Sequence, residues 1–157
     1  MKQRAFVASL LSAVLFISTL GCSKKDDPTT TSPAASTGSY TLDGRAVSAK
    51  ATAVVNTTRT TTGQNFDMLD IQLVTSPPPQ SGPETLDLIF HKPTGQANSA
   101  YQLAAIYLLN GGRAQSTTYT NNVTTISTTS GGGFSGTFSA TATGSTIQGG
   151  VFTDVRP

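Results

Sequence analysis

From Tyr40 onward the apolar residues of this chain recur at every second position, in short runs that Gly and Pro close off before helical spacing can be sustained. A period of two lays one face of an extended strand against a core and turns the other to solvent. Glu84–His91 places Leu86, Leu88 and Phe90 together, opposite Thr85 and Asp87. Phe66–Val74 sets Leu69, Ile71 and Leu73 against Asp70 and Gln72. Phe134–Ala142 sets Phe134, Gly136, Phe138 and Ala140 against Ser135, Thr137, Ser139 and Thr141. Tyr40-Thr41-Leu42 runs into Asp43-Gly44, a strong hairpin signal. Arg45–Val55 follows with Val47, Ala49, Ala51, Ala53 and Val55 on one face, and Asn56–Gln64 reads as a Thr-rich polar loop. Pro77-Pro78-Pro79 and Gly82-Pro83 exclude ladder bonding.

The remaining pieces are weaker. Tyr101–Leu109 has the length of two helical turns. Its brevity and the Asn110-Gly111-Gly112 stop favour a strand. Ala114–Thr129 is rich in Thr and Ser, with Val123 and Ile126 as its apolar points, and β-branching favours a strand here too. Gly131-Gly132-Gly133 reads as a turn. Ile147–Val155 sets Ile147, Gly149, Val151 and Val155 on one side, with Gly149-Gly150 as a candidate bulge. The expected fold is all-β, an antiparallel sandwich or barrel of about seven to nine short strands. It occupies residues 39–157, whose 26 Leu, Ile, Val, Phe and Met and four Tyr suffice for one core.

Composition removes several function classes. Charged residues are 11% of the chain, against about 25% in typical soluble domains. Hydroxyls fill the gap, with 27 Thr and 17 Ser among 157 residues. One His, one Cys, one Glu and no Trp leave no cluster for a zinc site and one imidazole for any nucleophile scheme. Neither a metal nor a cofactor is expected. A net charge of +2 gives no basic surface for nucleic acid.

The N-terminus is built differently. Lys2 and Arg4 precede Ala5–Leu20, sixteen residues without a charge. At about 1.5 Å per residue they span roughly 24 Å, short of the ~30 Å hydrocarbon core. A basic start, a short apolar stretch and the small residue Gly21 describe a secretory signal over residues 1–21. The chain's one Cys, Cys22, follows directly, so no intramolecular disulfide is available. Loss of residues 1–21 takes the basic count from 10 to 8 and leaves the acidic count at 8. From Ser23 to Ser39 there is no large apolar residue, and residues 22–38 are expected to form a disordered tether. A coil of about sixteen residues reaches roughly 20–25 Å.

Three resemblances follow from these motifs. Thr19-Leu20-Gly21-Cys22 resembles the bacterial lipobox, with Thr19 at the usual aliphatic position; the resemblance implies a diacylglycerol on Cys22, which becomes the mature N-terminus. Two or three acyl chains hold a protein stably on a membrane. Lys24-Lys25-Asp26-Asp27 resembles the surface-export signal of Bacteroidetes-type lipoproteins. Tyr40-x-Leu42-Asp43-Gly44, Phe134-Ser135-Gly136-Thr137-Phe138 and Gly149-Gly150-Val151-Phe152 look like segments of small Bacteroidetes-type lipoprotein domains of unknown function. The Trp common after the first Asp-Gly in those domains is absent here, where the chain reads Arg45-Ala46-Val47. The resemblance implies an outer-membrane location, with the membrane as partner through the lipid anchor.

No motif marks a catalytic centre. His91 ends an apolar strand without a nucleophile motif nearby. Asp67 and Asp87 fall on neighbouring strands, so a glycosidase-like carboxylate pair is geometrically open. Asn121-Asn122 has no acid beside it and makes no calcium loop. Tyr101, Tyr107 and Tyr119 would support sugar stacking if exposed, and a core if not. The expected function is a non-catalytic interaction or structural domain on a lipid anchor. A carbohydrate- or small-ligand-binding module is the alternative, and a hydrolase the remote one.

Overall fold

The computed structural model of the protein describes residues 36–59, 63–80, 82–110 and 113–157. Cys22, Lys24, Lys25, Asp26 and Asp27 lie outside these, as do the expected signal segment and nearly all of the expected tether. The described chain is all-β, in one curled antiparallel sheet of nine strands. They are β1 (Thr37–Leu42), β2 (Arg45–Arg59), β3 (Asn65–Thr75), β4 (Glu84–Pro93), β5 (Gln102–Asn110), β6 (Arg113–Thr118), β7 (Asn121–Thr128), β8 (Phe134–Ala142) and β9 (Ser145–Val155). Their order across the sheet is β6-β5-β4-β3-β2-β1-β9-β8-β7. The sheet curls on itself as a half-barrel, so the sandwich option falls. Tyr101–Leu109 is strand, as its length and stop signal implied.

Sequence neighbours pair except β6 and β7, which form the two edges of the sheet, and β1 also pairs β9. The β1–β2 turn is Asp43-Gly44, with φ of 51° and 81°. Positive φ at both central residues is the two-residue turn that matches strand twist. The chain crosses from β6 to β7 at Tyr119-Thr120. The Tyr119 amide donates to Ile106 O on β5 (3.2 Å), and the Thr120 amide donates to Thr141 O on β8 (3.1 Å). Those two bonds draw opposite margins of the sheet together, and the curl gives the inward faces one enclosed core.

Phe90, Phe134 and Phe152 fill that core with Leu69, Ile71, Leu73, Leu86 and Leu88. Ala49, Ala51 and Ala53 on β2 are small enough to let the larger rings cross the interior. Phe152 packs at 6.4 Å from both Phe90 and Phe138. The interior is therefore packed, and open space is left at the two ends and on the outer face.

Three details correct the expectations above. The domain begins before residue 39: β1 starts at Thr37, and Ser36 Oγ donates to Asp154 O (2.9 Å). Asn56–Gln64 is not one loop, because β2 continues to Arg59 and pairs Asn56 with Met68 and Thr58 with Phe66. Thr-rich sequence suits a strand once a partner is present, and Val55 at the projecting end is 41% exposed. On β9 the inward set is Ile147, Phe152 and Val155, while Val151 is 41% exposed. An extra residue at Gly149 (φ 58°) and another at Asp154 (φ 45°) each shift the β8–β9 register by one. Each slip turns the side chains that follow to the other face.

Candidate functional site

The two ends of the curled sheet carry different chemistry. One end collects the β1–β2 turn, the β3–β4 loop and the β8–β9 turn; we call it the hairpin end. The other holds Ser36, where the tether joins, and the C-terminal residues after β9. β1 runs from one to the other, so its six residues at about 3.3 Å each set roughly 20 Å between them.

At the tether end Lys92 is buried. Its ammonium donates to Asp67 Oδ2 (2.6 Å) and to Gln96 O (3.0 Å), and lies 5.2 Å from the centre of the Tyr101 ring. Asp67 also accepts from Thr94 (2.9 Å) and Thr57 (3.0 Å). The Lys92 bond first, and these hydroxyls with it, hold the Asp67 carboxyl below its ordinary range. These bonds tie the ends of β2, β3 and β4 together.

The hairpin end carries a second polar cluster. A cavity of about 410 Å³ opens there, lined by residues that include Asp43, Arg45, Glu84 and Ser145, with Leu42 and Leu108 as its apolar floor. That volume lies within the usual range of ligand sites. Asp43 is held by its turn: its Oδ1 accepts from the Thr146 amide (2.6 Å) and its Oδ2 from Ser145 Oγ (3.1 Å). With its proton committed to Asp43, Ser145 Oγ accepts from Tyr119 Oη (2.9 Å). Arg45 reaches over the end of β3 and donates one nitrogen to both Glu84 oxygens (2.6 and 2.9 Å).

Beneath this rim, Tyr40 crosses the small residues of β2. The ring is 3% exposed and its hydroxyl makes no hydrogen bond. Thr75 Oγ1 approaches it but donates instead to Glu84 O (3.1 Å). Burial pushes the Tyr40 hydroxyl up to about 12, with the Thr75 hydroxyl opposing the shift.

A larger groove of about 730 Å³ opens at the tether end, lined by residues that include Asn65, Phe66, His91, Lys92, Pro93 and Gln102. His91 packs on the Phe66 ring, with centres 4.6 Å apart. Among the described residues no hydrogen bond reaches its imidazole. Asp87 lies on the same face of β4, four residues and about 13 Å along the strand. The Asp67–Asp87 pair does not form, because Asp67 faces inward with Leu69 and Asp87 faces outward opposite Gln72. Asp87 instead neighbours Asp70: burial and then the Asp70 charge push its carboxyl up to about 6.

Tyr101 and Tyr119 are buried in the core and Tyr107 is half-buried on the outer face, so the three make no stacking surface. Among the described residues no three His, Cys, Asp or Glu side chains come together as a metal site. Sequence reading missed the hairpin-end site, since Asp43, Glu84 and Ser145 are brought together only by strand order; the Asp43-Gly44 turn was the one local signal. Comparisons with family models, with curated proteins and with solved structures found no match.

Proposed function

We propose that the protein is a lipoprotein of the outer membrane, acylated at Cys22, whose β domain works by binding or scaffolding and not by catalysis. The observation that supports it is the polarity of the domain. Ser36 lies at one end, and a cavity of about 410 Å³ rimmed by Asp43, Arg45, Glu84 and Ser145 opens at the other. Lys24, Lys25, Asp26 and Asp27 serve as the export element in this reading. A small-ligand-binding module is the second reading, favoured by the cavity rimmed by Asp43, Arg45, Glu84 and Ser145. A hydrolase gains no support from His91, which meets an aromatic ring and not an orienting acid.

Mass spectrometry of the mature protein tests the anchor: loss of residues 1–21 with added acyl mass is expected, and an intact unmodified Cys22 overturns it. Protease shaving of intact cells tests the display. The native protein should be cleaved, and a variant with Lys24, Lys25, Asp26 and Asp27 all changed to Ala should be protected while equally acylated. Equal protection of both would place the domain inside the outer membrane.

A further inference from the structure

We propose that the outward face of β3, β4 and β5 docks an extended peptide segment of a partner protein, one that presents a bulky apolar side chain and, four residues along, a Lys or Arg. The apolar side chain enters the groove at Phe66 and His91, and the cation meets Asp87. The assignment rests on the reading of the domain as a binding module and names the chemistry of its partner.

The first support is the make-up of the outer surface, which changes across the sheet. Outward on β8 stand Ser135, Thr137, Ser139 and Thr141, side chains suited to water. Outward on β3, β4 and β5 stand Met68, Val74, Ile89, Tyr107 and Leu109, each half-buried and alternating with core residues. They form continuous ground, since Met68 lies opposite His91 and Ile89 opposite Ala105. Contiguous apolar patches left on a surface mark places where another molecule sits.

The second support is a charge set into this ground. Asp87 has Gln72 opposite it on β3 and Tyr107 opposite it on β5. Among the described residues no hydrogen bond or ion pair reaches it. Its Oδ1 is buried without a partner, which leaves Oδ2 to meet a ligand. Asp70 nearby accepts from Gln72 (3.3 Å) through Oδ2. The outward Lys50 stands on β2 opposite Val74, two strands from β4. Burial and the Asp70 charge disfavour a lone carboxylate at Asp87, and a cation brought by a partner offsets both.

The third support is spacing. Asp87 and His91 are four residues and about 13 Å apart on one face of β4. The groove of about 730 Å³ opens at His91, between Phe66 and Pro93. Its one charged lining residue, Lys92, is already matched by Asp67, so an apolar group suits it. An extended segment laid along β4 has the same rise and the same period of two. Two of its side chains four residues apart therefore reach the groove and Asp87 together. A second copy of this face would bring two more carboxylates onto the same ground, and an anionic bilayer would meet the same repulsion. A small amine would reach Asp87 and leave the groove empty.

The test is nuclear magnetic resonance of the full chain in detergent, with 13C-labelled Met methyl groups and tyrosine. Met68 is the one Met among the described residues and reports on the groove; Tyr107 reports on Asp87. The probe is a capped heptapeptide, Ser-Phe-Thr-Val-Thr-Arg-Ser. Its controls carry citrulline in place of Arg, or Phe and Arg side by side. The Arg peptide should move Met68 and Tyr107 together and saturably by about 5 mM, and leave Tyr40 in the core in place. Citrulline keeps the shape and loses the charge, and should weaken binding about two- to fivefold. Asp87→Asn should bring the Arg peptide down to the citrulline level, with an unmoved Tyr40 signal showing that the fold is kept. Side-by-side Phe and Arg should not move both reporters. Equal affinity for Arg and citrulline, a preference that survives Asp87→Asn, or equal binding of the side-by-side peptide overturns the proposal. Movement of Met68 with protein concentration alone gives the face to a second copy and overturns the choice of partner. Silence with every peptide overturns the assignment of this face, while mass spectrometry and protease shaving judge the anchored module separately.

Discussion

The Phe138 ring lies on Gly150, its direct partner across the β8–β9 ladder. A Cβ on Gly150 would sit inside the ring, so this rung has no room for any other residue. The same device recurs one step along, where the Phe152 ring covers Gly136 at 2.6 Å from the position of a Cβ. The bulge at Gly149 brings Gly150 and Phe152 to the inward face and makes both contacts possible. Two rings thus pack flat on the inner face of β8 and β9 where side chains of ordinary size would hold them off.

Phe138→Ala should destabilise the domain by about 3–5 kcal/mol, the usual cost of deleting a buried phenyl ring. Gly150→Ala should cost about 1–3 kcal/mol by overpacking. Combined with Phe138→Leu, Gly150→Ala should cost less than the sum of the two single changes, because they share one space. Urea unfolding of the four proteins checks this.

Gly44 and Gly136 should respond to alanine for opposite reasons. Gly44 has φ of 81° and nothing within 4 Å of a Cβ, so its cost is conformational, about 1–2 kcal/mol. Gly136 meets the Thr125 carbonyl oxygen and the Phe152 ring, so its cost is steric. Gly44→Asn should recover most of the Gly44→Ala loss, since Asn tolerates this conformation; Gly136→Asn should be worse than Gly136→Ala. Thermal unfolding of all four separates the two mechanisms.

Asp87 should make the domain less stable as pH rises. Its folded carboxyl is at about 6 against an unfolded value of 3.8, so folding favours the protonated form. That contribution is complete below about pH 4 and is lost as pH rises through 6. Asp87→Asn should therefore raise the unfolding temperature at pH 7.5 and leave it unchanged near pH 3.5. Equal gains at both would show that burial of the carboxylate is not the cause.

Asp67 should act with the opposite sign. Lys92 and the Thr94 hydroxyl depress its folded carboxyl, so its contribution is present above the unfolded value and lost as pH falls through the folded one. Asp67→Asn leaves the buried Lys92 ammonium without its counter-charge, and should lower the unfolding temperature more than the double change with Lys92→Met does. Calorimetry of both variants at neutral pH decides it.

The inward faces of β3, β4 and β8 were legible because their alternation is unbroken: Leu69, Ile71 and Leu73, then Leu86, Leu88 and Phe90, lie where a period of two puts them. The β1–β2 hairpin was legible because Asp43-Gly44 carries its geometry locally. β9 was misread beyond Gly149, since a bulge resets the period and a uniform count cannot follow it. The far half of β2 was misread because a Thr-rich run becomes strand only through its partner, Asn65–Met68. The polar cavity was illegible for a related reason. Asp43, Glu84 and Ser145 are up to 102 positions apart, and only the order of the strands gathers them.

The placement of β1 has a mechanical consequence. This strand carries the chain from Ser36 to the rim of the cavity, with six paired positions to β2 on one side and five to β9 on the other. Ladder hydrogen bonds run perpendicular to the strands. A load applied at the rim and resisted at Ser36 acts along the strand, so it strains both rows of bonds in shear and all at once. A load between Ser36 and the C-terminus acts at one end only and peels β1 from β9 rung by rung. The domain is therefore strong against a load along β1 and weak against one between Ser36 and the C-terminus.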